Sequence, residues 1–148
     1  MSNQELNIVC ACGNGNVNFT SEGGIYETFV NNTGTSVKGT IVIASKTVTN
    51  GVDVAPISAT NPIGVIYESG KDNGATVKVV VYGKAEVLLA ADKTATKGYW
   101  CGTSNDTAGR MYQLQNPPSE SSTHSQEIGH SLQSASAGTL SFVQLHFN

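Results

Sequence analysis

The chain is short of charge. Only 13% of its 148 residues are Asp, Glu, Lys or Arg, about half the usual share of a soluble domain. Eight basic residues face eleven acidic ones, for a formal net charge of −3, and Arg110 is the only arginine. Without a basic stripe there is nothing to track a phosphate backbone, so direct nucleic-acid binding is not expected. Long apolar runs are also missing. None approaches the roughly 20 residues that a membrane-spanning helix needs. The start, Met1-Ser2-Asn3-Gln4-Glu5, has neither the basic nor the apolar region of a signal peptide, so synthesis in a cytoplasm is expected. Cysteine is scarce and odd in number, at Cys10, Cys12 and Cys101, which argues against a disulfide framework and for reduced thiols.

What the chain has is Gly, Ser, Thr and Asn between β-branched runs such as Thr40-Ile41-Val42-Ile43 and Val77-Lys78-Val79-Val80-Val81. That composition favours turns and short strands. One segment occurs twice. Ile63-Gly64 leads through a small-residue turn to the strand Gly74 to Val81, and Ile128-Gly129 leads through another to Gly138 to Leu145. Each copy reads as a hairpin that cannot bury its apolar face alone. The expectation is an all-β fold, a small β-barrel or β-sandwich with two repeated hairpins and an extended N-terminal arm. Residues 1–24 have weak periodicity and form the arm; residues 25–148 form the domain.

Along the domain, strands are expected at Ile25 to Val30, Gly39 to Ala44, Ile63 to Glu68, Thr76 to Tyr82, Ala85 to Leu89, Tyr99 to Cys101, Arg110 to Leu114, Gln126 to Leu132 and Thr139 to Phe147. Asn50-Gly51 is the sharpest short-range hairpin signal. Gly83 marks a bend or bulge between two strand segments. Ala90 to Lys97 has room for one helical turn, and Gln115 to Thr123, with Pro117-Pro118, reads as a loop.

No motif for chemistry stands out. Cys10-x-Cys12 is one residue too close for a redox Cys-x-x-Cys pair. With Cys101 and one of His124, His130 or His146 it has the ligand types of a zinc site, but no paired spacing supports one, so no metal or cofactor is assigned. The same histidines lack a Gly-x-Ser-x-Gly elbow for hydrolysis, and His130 falls within an expected strand, where a sheet-facing histidine is the ordinary reading. The acidic residues form no calcium loop. No residue is assigned a catalytic role, and the chain is not expected to be an enzyme. Tyr99-Trp100 suits either a buried corner or an interface anchor.

The run Pro62-Ile63-Gly64-Val65-Ile66-Tyr67-Glu68, the strand Val77 to Tyr82 with Gly83, and Ala85-Glu86-Val87 carry a resemblance. So do Lys97-Gly98-Tyr99-Trp100-Cys101-Gly102-Thr103-Ser104 with Gly109-Arg110, and the end from Glu127-Ile128-Gly129-His130 to Leu145-His146-Phe147-Asn148. Over roughly residues 37–148 the chain resembles the capsid cement (head decoration) proteins of tailed double-stranded DNA phages. The resemblance implies a virion protein on the outer capsid surface, made in the host cytoplasm. Its partners would be the major capsid protein and itself, as a homotrimer at three-fold and quasi-three-fold sites. Tyr99 and Trp100 become subunit-interface candidates. The arm residues Leu6, Asn7, Ile8, Val9 and Cys10 become capsid-contact candidates, through strand addition to a capsid sheet edge. The runner-up is a tail or fibre module that stacks glycans on Trp100 and Tyr99. A small hydrolase ranks third.

Overall fold

The structure, a computed structural model, describes residues 17–147. The fold is all-β. Nine strands run in one sheet: β1 (Gly24–Asn31), β2 (Ile41–Ala44), β3 (Gly51–Val54), β4 (Gly64–Ile66), β5 (Thr76–Leu88), β6 (Trp100–Thr103), β7 (Met111–Gln113), β8 (Glu127–Ser131) and β9 (Leu140–Leu145), with one short helix, α1 (Ser121–Gln126), before β8. Among the described residues no helix is long and apolar enough to cross a membrane.

The strand order is β1-β3-β2-β4-β5-β9-β8-β6-β7, and β1 also pairs with β5. That extra pairing closes the first five strands into a ring. All its seams are antiparallel except β1–β3, which is parallel over Val30↔Gly51 and Asn31↔Val52. Beyond β5 the sheet continues through β9, β8, β6 and β7. A bridge from Met111 to Leu89 then brings β7 back to the end of β5. Two rings of strands thus share one long strand. The two repeated hairpins are present, β4–β5 in the first ring and β8–β9 in the second.

The apolar residues sort by ring. Val42, Val52, Ile66, Val77 and Val79, with Phe29 against them, draw one face from each of the first five strands and fill the first ring. A larger cluster joins the opposite faces of β2, β4 and β5, through Ile41, Ile43, Val65 and Val80, to Val87, Leu89, Cys101, Met111, Ile128, Val143 and Leu145. Burying each such aliphatic side chain is worth about 1.5–3 kcal/mol, and the strands of the shared wall contribute to both clusters.

Strand β5 merges the two segments expected on either side of Gly83. Its partner β1 skips Val81, since Ile25 opposes Tyr82 and Tyr26 opposes Val80. The extra residue and Gly83, at φ 85°, let the strand leave β1 and turn to β9.

Some local expectations change. The β2–β3 hairpin has a longer connection than Asn50-Gly51 alone implies. Residues 45–50 form it, with Asn50 at φ 54° and the Gly51 N–H donating to Val48 O at 3.0 Å. Ala90 to Lys97 makes no helical turn, because Ala95 is held in extended pairing with Ala135 by two hydrogen bonds of 3.0 Å. The expected loop at Gln115 to Thr123 ends inside α1. Thr123 tightens the start of that helix, accepting from Glu120 N–H at 3.3 Å and donating to Glu120 O at 2.9 Å. Helix α1 buries no residue, so it has no apolar stripe to read in the sequence. Within the span assigned to the arm, residues 17–23 fold back on β1. Phe19 bridges Ile25, and Gly24 N–H donates to Thr20 Oγ1 at 2.9 Å. The capsid-contact candidates Leu6, Asn7, Ile8, Val9 and Cys10 lie outside the described residues.

Gly129 sets the spacing of the second hairpin. It sits at φ 148°, and a Cβ there would run into the Gln144 carbonyl of β9. Gly74, at φ 86°, faces open space. Gly129→Ala is therefore expected to lose at least about 3 kcal/mol of unfolding free energy, against about 1 kcal/mol for Gly74→Ala. Urea denaturation of both variants checks this; equal losses would mean that the close approach at β8–β9 is not tight.

Candidate functional site

The densest gathering of reactive side chains is on β8, β9 and β6. Trp100 opposes His130 and Gly102 opposes Glu127, while Cys101 opposes Gly129, so Ile128 is an extra residue in β8. On a regular strand, residues three apart point to opposite faces. The irregularity at Ile128 cancels that and puts Glu127 and His130 on one face. His146 follows the end of β9 and is fixed by its N–H donating to Ile128 O at 2.9 Å. Gln144 opposes His130 in the β8–β9 register, so His146, two residues on, shares that face.

The side chains converge. His146 Nε2 lies 3.0 Å from Glu127 Oε1 and 3.3 Å from His130 Nδ1. His124, from α1, brings Nδ1 to 3.4 Å from Glu127 Oε2. Trp100 roofs the pair of imidazoles, with its ring centroid 4.1 Å from that of His130 and 6.4 Å from that of His146. Glu127 is only 1% exposed, yet neither carboxylate oxygen receives a hydrogen bond among the described residues. Its close neighbours are ring nitrogens whose geometry does not direct a proton at it. A buried carboxylate is costly unless a positive charge compensates it, and the groups nearest to this one are the three imidazoles.

Of the candidates from the sequence, Trp100 is half-buried and engaged with these histidines, whereas Tyr99 stays 44% exposed. Cys101 is nowhere near a ligand set with the histidines: its face is the core, and its thiol points to Tyr99 O at 3.8 Å. Cys10 and Cys12 lie outside the described residues. Neither His130 nor His146 meets a serine hydroxyl among the described residues, so no hydrolytic triad is assembled around them. What sequence reasoning missed is Glu127 as the partner of the histidines. Its three-residue separation from His130 was the available signal, but a regular strand would have parted them.

Two other surfaces carry features. Val17, Phe19 and Tyr82 are exposed. Phe19 opposes Ile25, which in turn opposes Tyr82, so the three form one cross-strand row on the outer face. This row lies at the root of residues 1–16. An open groove of about 510 Å³ lies by the Pro117-Pro118 loop, lined by Lys93, Tyr112, Gln113 and Leu114; Glu120 is its single carboxylate. A glycoside hydrolase needs two across its cleft.

No protein-family model matches this chain, and no curated protein sequence matches it either.

Burial pushes the Cys101 thiol up to about 12 from its ordinary 9.0, against a smaller opposing pull from the Ser131 backbone N–H. Well below pH 9 the thiol is neutral in both folded and unfolded chains. Above it the unfolded chain ionises first, so stability falls as pH rises toward 12, by up to about 1.4 kcal/mol per unit from this group. Urea midpoints at pH 7.5 and pH 10 should therefore separate further in the native chain than in Cys101→Ala. Peptide mapping after iodoacetamide treatment should find Cys101 unmodified until the chain is unfolded.

Proposed function

We propose that this protein is a structural, non-enzymatic component of a phage virion. It seats on the outer surface of the mature capsid, as trimers at three-fold and quasi-three-fold positions, and stabilises the head against the pressure of packaged DNA. The observation that carries this reading is the pair of exposed aromatics Phe19 and Tyr82, set in one row across half-buried Ile25 at the root of the N-terminal segment. Aromatic residues on an outer sheet face are the material of a protein interface. The row also continues the segment in which Leu6 to Cys10 are the capsid-contact candidates. The resemblance over roughly residues 37–148 points the same way. Tyr99, exposed and held by Ser131 N–H donating to its carbonyl at 2.9 Å, suits contact between copies of the chain. Glycan stacking is less favoured, because Trp100 is occupied by His130.

The physical effect is linkage. A protein that binds the intact shell and not its ruptured form stabilises the intact shell by mass action, and trimer valency raises the effective affinity at each site. Low charge suits a surface that packs against many neighbours.

The test uses heads stripped of the protein. Adding it back should restore resistance to heat and osmotic shock in a saturable way, with no chemical turnover. Phe19→Ser with Tyr82→Ser should stay within about 0.5 kcal/mol of the native stability per site and lower head binding at least about tenfold, the effect expected of an interface anchor. Deleting residues 1–16 should also lower binding. Stripped heads that survive as well as decorated ones, or that fail to bind the protein, would overturn the reading.

A further inference from the structure

We propose that Glu127, His130 and His146 form a binding site for a divalent first-row transition ion of the zinc class. The proposal does not depend on the capsid reading. One ligand atom from each residue lies within 4.8 Å of the others. An ion about 2.0–2.1 Å from each donor in tetrahedral geometry sets neighbouring donors about 3.3 Å apart. His146 Nε2 is 3.3 Å from His130 Nδ1 and 3.0 Å from Glu127 Oε1, so two of the three edges already match. The third needs at most a modest rotation of a half-exposed imidazole.

The second observation is Glu127 itself. Its carboxylate is 1% exposed, carries two oxygens without a hydrogen bond, and faces ring nitrogens from both sides. Only one proton can lie between His146 Nε2 and His130 Nδ1, and a proton placed there is not aimed at Oε1. A cation at the point where the three donor atoms converge would satisfy them together. Two imidazoles and a carboxylate suit zinc, cobalt or nickel; calcium and magnesium prefer all-oxygen sets. His124, near the other oxygen at 3.4 Å, helps orient the carboxylate, as partners behind metal ligands commonly do. Trp100 covers one side of the imidazoles, and three protein donors leave a fourth position for water.

The consequence is structural. His146 stands just past β9 and Glu127 opens β8, so the ion would staple the end of β9 to the start of β8 within the second ring. Binding free energy at such a site adds directly to stability.

The experiment is titration of the full chain, cleared of metals, with ZnCl2 by calorimetry, and with CoCl2 followed by visible absorption. The native chain should take up one equivalent, show the intense bands of tetrahedral cobalt, and melt at higher temperature with zinc. His130→Ala and His146→Ala should each weaken binding at least tenfold and lose the thermal shift. Cys10→Ser with Cys12→Ser should retain both. Circular dichroism checks folding, and half-exposed His146 is the substitution least able to disturb it. The site is disproved if the native chain shows no saturable uptake. It is equally disproved if uptake survives His146→Ala but is lost with the cysteine substitutions, which would place the metal on the thiols.

Discussion

Strand β5 belongs to both rings, and the rest of the architecture hangs on how it changes partners. Its first half pairs with β1 and β4, and its second with β9. Val77 and Val79 fill the first ring, Val80 faces the larger cluster, and after the bend Ala85 and Val87 join that larger cluster. With a strict period of two, Val79 and Ala85 would face the same side. The extra residue at Val81 and the left-handed backbone at Gly83 break that period. A Cβ at Gly83 would come within 2.9 Å of Gly23 O, so the bend and the close crossing of β1 are one constraint. Two apolar interiors can then share a wall without an open edge between them.

The same device recurs at smaller scale in β8, where its product is chemical. The irregularity at Ile128 keeps that side chain in the apolar core while bringing Glu127, buried, and His130 onto one face. Gly129 lets β9 press close enough for His146 to join them. In a chain with so few charges, a buried carboxylate among histidines is the most polar feature of the interior. It sits at the junction of three strands rather than in the groove by the Pro117-Pro118 loop. The groove has room and little convergent chemistry; the junction has convergent chemistry and little room. That contrast is why the proposed ion is placed at the junction and not in the groove.

The outer surface tells a complementary story. Phe19 and Tyr82 stay exposed although both are paired across Ile25, because neither joins either apolar cluster. Exposed aromatics held on a rigid sheet lose little freedom on binding a partner.

Much of the fold was written locally. The β-branched runs, the two Ile-Gly repeats and Gly83 marked strands, hairpins and the bend, because side-chain crowding and backbone freedom act over a few residues. The six-residue helix α1 has no apolar stripe because it buries nothing, and within Ala90 to Lys97 it is Ala135, forty residues from Ala95, that holds Ala95 extended after a turn at Ala90 to Lys93. The closure of the rings depended on β1–β5 and Leu89–Met111 pairings between segments distant in sequence. The histidine cluster shows the division most clearly. Its residues were visible in the chain, but a three-residue spacing on a strand separates side chains. Only tertiary structure decided that they meet, because one inserted residue at Ile128 reverses which face Glu127 occupies, and that reversal exists only once β6 fixes the register.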